Sequence, residues 1–84
     1  MMIRIKKVKT DTKDRERILP ILERNWIGIH HATVKTPHTE EGINDLLKFV
    51  KLELSGKKRD YVIHRLYRKA CGIRRDIEEK QLYV

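Results

Sequence analysis

Ile27-Gly28-Ile29-His30-His31-Ala32-Thr33-Val34-Lys35 is the stretch on which the fold class turns. Ile27, Ile29, Thr33 and Val34 are β-branched, and branched side chains pack well on a pleated surface. The segment therefore predicts a strand. Toward the N-terminus, residues 3–9 read Ile-Arg-Ile-Lys-Lys-Val-Lys, and the alternation of Ile3 and Ile5 with Arg4 and Lys6 predicts a half-buried strand there as well.

Between these two segments the pattern is helical. Thr10-Asp11-Thr12 offers capping oxygens, and Ile18, Leu19, Leu22 and Trp26 fall on one stripe. The helix is expected to reach about Trp26. Pro20 lies inside it, where a proline removes a hydrogen bond and costs about 3 kcal/mol. Either the helix kinks at Pro20 or a second short helix begins there.

Past Lys35, Thr36-Pro37-His38-Thr39 reads as a turn, and Thr36 or Thr39 is placed to cap the next helix. Glu40 and Glu41 suit its positive end. That helix runs to about Leu54 on a core stripe of Ile43, Leu46, Leu47, Val50 and Leu54, and Ser55-Gly56 ends it. Phe49 falls at the edge of that stripe, which suits a dimer or partner surface. A last helical region carries Val62, Leu66, Ala70, Ile73 and Ile77 at intervals of three and four. Gly72 within it fits two roles, an ordinary glycine in one long helix or a glycine just past a helix end.

The expected architecture is α+β in the order β-α-β-α-α. Two short strands pack against three helices in one domain covering residues 1–84, with a basic C-terminal helical hairpin. A lone two-stranded sheet is marginal. Pairing two such sheets in a homodimer would bury an exposed edge.

Composition narrows the function. The chain has 84 residues and a net charge of +8. One thin core leaves little room for a deep cofactor cavity, and no cofactor is expected. Cys71 is the single cysteine, so no disulfide closes within the chain, and a reducing cytoplasm is expected. The start turns charged at once, unlike a signal peptide, and no apolar run approaches a membrane span of about 18–20 residues. Many Ile, Lys, Arg and Glu with few thermolabile side chains is also the pattern of heat-adapted proteins.

The charge is uneven. Residues 1–10 carry four basic groups and no acid, and residues 57–75 carry eight basic groups and one acid, whereas the remaining segments are slightly acidic. With Val62–Ile77 turned inward, the rest of the last helix carries Arg65, Arg68, Lys69 and Arg75 beside Tyr61 and His64. A concentrated cationic face is the electrostatic footprint of a nucleic-acid binder. The expected phosphate contacts are Lys57, Lys58, Arg59, Arg65, Arg68, Lys69 and Arg75, with Tyr61 and His64 as base contacts. Arg4, Lys6, Lys7 and Lys9 form a secondary patch. The bland alternative is a solvated face, but self-repulsion of this size destabilises a fold unless something offsets it.

The expected function is thus a small nucleic-acid-binding protein, for DNA or RNA, in a regulatory or accessory role. One alternative is an adaptor or inhibitor that docks an acidic protein partner. Membrane adsorption fits less well, because the apolar face of the basic helix is needed for the core. A standard helix-turn-helix fits poorly, since Lys57 stands where an apolar residue should follow Gly56.

An enzymatic role ranks last. Glu40-Glu41 and Glu78-Glu79 sit at helix ends, where they offset the helix dipole. Ser55, the sole serine, lies in a turn, and Cys71 has basic neighbours but no histidine placed beside it. His30 and His31 would point to opposite faces of a strand, and no ligand spacing joins them to His38 or His64, so no metal is expected.

Overall fold

The segment from Ile27 to Lys35 contributes to a helix rather than a strand. The computed structural model describes residues 8–82, and every regular element among them is helical. The order is α1 (Thr12–Leu22), α2 (Trp26–Thr33), α3 (Glu40–Ser55) and α4 (Asp60–Leu82). The α+β expectation is therefore corrected to an all-helical fold. The first expected strand falls largely outside the described residues; Val8 and Lys9, its described end, carry no strand. With no sheet edge among the described residues, the argument for a sheet-paired homodimer falls away.

The spacing of the buried side chains explains α2. Ile29 and Thr33 are buried one turn apart, whereas Ile27 is 65% exposed. A strand would put Ile27 and Ile29 on the same face. The helical penalty of a β-branched residue is within about 0.7 kcal/mol. Burying an isoleucine is worth about 1.5–3 kcal/mol, so burial overrides propensity. Asn25 caps the helix by accepting from the Gly28 N–H at 3.0 Å. The Thr33 hydroxyl donates back to the Ile29 carbonyl at 2.9 Å, which satisfies its buried oxygen.

Helix α1 begins in a capping box: Asp11 accepts from the Asp14 N–H at 2.8 Å, and Asp14 accepts from the Asp11 N–H at 3.2 Å. It buries Ile18 and Leu22 and ends at Leu22, short of the expected Trp26, which instead opens α2. Pro20 stays inside α1 and starts no second helix.

Helix α3 supplies the largest share of the described core through Ile43, Leu46, Leu47, Phe49, Val50 and Leu52. Phe49 is fully buried rather than facing a partner, and Leu54, expected in the core, is 41% exposed. Thr39 caps α3 by accepting from the Gly42 N–H at 3.2 Å. Gly42 is required there, since an added Cβ would lie 1.9 Å from the Pro37 carbonyl oxygen.

Helix α4 is unbroken for 23 residues, about 34 Å at 1.5 Å per residue. Gly72 lies within it. The α4 core residues Val62, Leu66, Ala70 and Ile73 pack against α3, with Ile77 partly buried beside them. Two ion pairs fix the direction of this packing. Arg59 at the start of α4 meets Glu53 at the end of α3, and Arg74 lies 3.9 Å from Glu40 at the opposite end. The two helices therefore run antiparallel, as a hairpin, and not at the roughly 90–120° crossing of a DNA-binding helix-turn-helix.

Candidate nucleic-acid interface

The residues from 57 to 75 divide into two groups. The first group is committed to the fold. Glu53 is only 1% exposed, and Arg59 meets its carboxylate twice, from Nε at 2.9 Å and from Nη2 at 2.8 Å. Other Arg59 donors reach the Leu22 carbonyl at 2.6 Å and the Arg24 carbonyl at 3.1 Å. These carbonyls lie in and just past the last turn of α1, where backbone oxygens lack helical partners. One guanidinium thus ties the ends of α1 and α3 to the start of α4.

Burial alone pushes the Glu53 carboxyl up, but the hydrogen bonds and charge of Arg59, with a smaller contribution from Lys57, carry it below its ordinary value. Arg59, expected among the phosphate contacts, is thereby placed in a structural role. Lys57, also expected there, lies 3.2 Å from Glu23, though both side chains are exposed and such a pair is weak.

The second group has no ion-pair partner among the described residues. It comprises Arg65, Arg68, Lys69 and Arg75 on α4, and Lys58 in the preceding turn. Tyr61, His64, Arg68 and Arg75 fall within an arc of about 60° on the side of α4 away from Leu66, at 100° per residue. All four are exposed. Arg65 and Lys69 flank that arc and turn toward α2. Arg65 to Arg75 spans about 15 Å of helix. Of the secondary patch, Arg4, Lys6 and Lys7 lie outside the described residues. Lys9 is exposed at the other end of the described chain's sequence.

Two features of this region were not legible in the sequence. Trp26, expected on an apolar stripe, is half-buried and packs against the core, with the Arg65 guanidinium carbon 5.4 Å and the Lys69 ammonium 5.7 Å from its ring centroid. Both are within the range of cation–π attraction. Burial lowers the Lys69 pKa, and no ion pair among the described residues offsets it. The His30 ring lies 5.8 Å from Trp26.

Next to Lys69 is an open cleft of about 300 Å³ between the end of α2, the 34–39 turn and α4. Its walls include Leu46, Ile73, Lys69, Gly72 and Arg75. His38 and Asp76 also line it and pair at 2.7 Å. The i, i+4 spacing of Arg65 and Lys69 was a visible signal. Their meeting with a tryptophan some forty residues earlier had none.

The chain matches no family model, no curated protein and no solved structure.

The function of this face therefore rests on its own chemistry. Among the described residues no three His, Cys, Asp or Glu side chains gather as a metal-binding group, and no helix is long and apolar enough to cross a membrane. The face offers multiple cationic donors in a row, planar guanidinium forks suited to phosphate oxygens, and a tyrosine and a histidine interleaved with them.

Proposed function

We propose that this protein binds nucleic acid, DNA or RNA, in a regulatory or accessory role, through the exposed cationic side of α4. The observation that carries the reading is that Arg65, Arg68, Lys69 and Arg75 gather on one helix with no ion-pair partner among the described residues. Four unpaired cations on one helix repel one another, and phosphates relieve that repulsion while releasing condensed counterions. The contacts assigned to phosphate are Lys58, Arg65, Arg68, Lys69 and Arg75, with Tyr61 and His64 between them. Arg59 is left out because four of its five side-chain N–H groups are already used.

A binding titration at two salt concentrations tests this. Affinity should fall with salt at a log–log slope near −0.9 per phosphate neutralised on a duplex. Arg65→Ala/Arg68→Ala should weaken binding across all sequences and flatten the slope by about 2. No binding of duplex or single strand at low salt would overturn the reading. So would a stoichiometric acidic protein partner, retained after nuclease treatment and lost in the same double variant.

A further inference from the structure

The cleft beside Lys69 has features that a merely solvated charged surface does not need. One wall is apolar, formed by Val34, Leu46 and Ile73. Lys69 and Arg75, two cations with no ion-pair partner among the described residues, stand in the same cleft. Its volume of about 300 Å³ is at the lower end of small-molecule sites, which run about 300–1,000 Å³. Gly72 lines it without a side chain, and a Cβ built there stands in open space.

At the cleft, the His38 Nδ1 bonds one Asp76 carboxylate oxygen. The imidazole Nε2 and the other carboxylate oxygen remain for hydrogen bonding to a ligand. Lys69 joins the cleft to Trp26, because it lines the one and lies over the ring of the other.

We propose that this cleft is a pocket for one unstacked nucleotide of a single strand. The base lies against Val34, Leu46 and Ile73, its polar edge meets His38 and Asp76, and its flanking phosphates sit on Lys69 and Arg75. A flat heteroaromatic ring with a polar rim and an adjacent anion matches an apolar wall, a polar pair and two cations arranged together. A base inside a duplex presents no free face, so the cleft selects single strands or looped-out nucleotides. Trp26 extends the site: when Arg65 and Lys69 move to phosphates, its ring is freed to stack on the neighbouring base. The lowered pKa of Lys69 is consistent with a desolvated ammonium awaiting a counter-anion.

The inference rests on the nucleic-acid reading, and Gly72→Leu separates the two. Gly72 lines the cleft, so a leucine there crowds it, and its Cβ meets no neighbour, so the helix is retained; circular dichroism and a thermal melt confirm that. Wild type and variant are titrated with a short single-stranded oligonucleotide and with a duplex, following the fluorescence of Trp26, the one tryptophan. Wild type should show quenching by the single strand. Gly72→Leu, which also borders the cationic side of α4, should lower single-strand affinity about tenfold more than duplex affinity. Equal affinities of wild type and variant for the single strand would overturn the pocket and leave the cationic face standing. Loss of single-strand and duplex binding alike in a folded variant would also overturn it, because the cleft would then have no selectivity. A wild type that binds neither would remove both readings.

Discussion

Arg59→Ala is expected to be the most damaging single substitution of a cation in this protein. Glu53 is 1% exposed and Arg59 is its charged partner, so truncation leaves a carboxylate buried without compensation. Breaking a buried pair from one side costs about 3–5 kcal/mol. The carbonyls of Leu22 and Arg24 lose their donors as well, a loss partly contained in the same figure, because water can reach the exposed end of α1.

A domain of this length has a total stability of about 4–13 kcal/mol. The variant is therefore expected to melt at least 12 °C lower, at roughly 4–8 °C per kcal/mol, or to unfold outright. A pH series adds a second readout with opposite signs. In wild type the folded carboxyl is depressed, so its contribution is fully present above the unfolded value near 4.5 and is lost as pH falls through the folded value. In Arg59→Ala, burial without the guanidinium raises the folded value. The folded state then gains protons, and the deficit narrows as the pH is lowered toward 5. Replacing both residues with apolar side chains of similar volume, Glu53→Met/Arg59→Met, should recover much of the loss. Urea denaturation of the three proteins at pH 7 and pH 5 reads all of this. An Arg59→Ala cost below about 1 kcal/mol, with no change in pH dependence, would refute the assignment of Arg59 to the fold.

The helical reading of α2 is tested by a pair that a strand would treat alike. Ile29→Ala should cost about 2–5 kcal/mol and Ile27→Ala less than about 0.5 kcal/mol, measured by urea unfolding. Gly42→Ala should destabilise by about 1–3 kcal/mol, because the Pro37 carbonyl must move to admit the methyl group; a thermal melt reads it. Gly72→Ala should instead stabilise by about 1 kcal/mol, since it removes an exposed helix-interior glycine and meets no neighbour. Its melting temperature should rise.

The helices α3 and α4 were legible because each carries a long apolar stripe at helical spacing. Ile43, Leu46, Leu47 and Val50 on one, and Val62, Leu66, Ala70 and Ile73 on the other, are buried as that spacing implies. The short α2 was misread because eight residues make barely two turns. Over that length, a count of β-branched side chains outweighed the burial spacing of Ile29 and Thr33. Gly72 had two readings in sequence, and continuous packing of α4 along α3 selected one. The cationic segment was visible as a local charge excess, but counting charges could not divide it. Glu53, three residues after Val50 on the buried side of α3, was the available sign that a cation nearby would turn inward.

The amino-acid sequence by itself determined the hairpin of α3 and α4 and the concentration of positive charge on its second arm, because periodicity and charge are local properties of the chain. Only the tertiary structure decided which cations remain without acidic partners. That depends on which carboxylates the fold brings near: Glu53 for Arg59, Glu23 for Lys57, Glu40 for Arg74, and none for Arg65, Arg68, Lys69 or Arg75 among the described residues. The same fold brings Trp26 to Lys69 and opens the cleft beside it, across a separation in sequence that no local pattern spans.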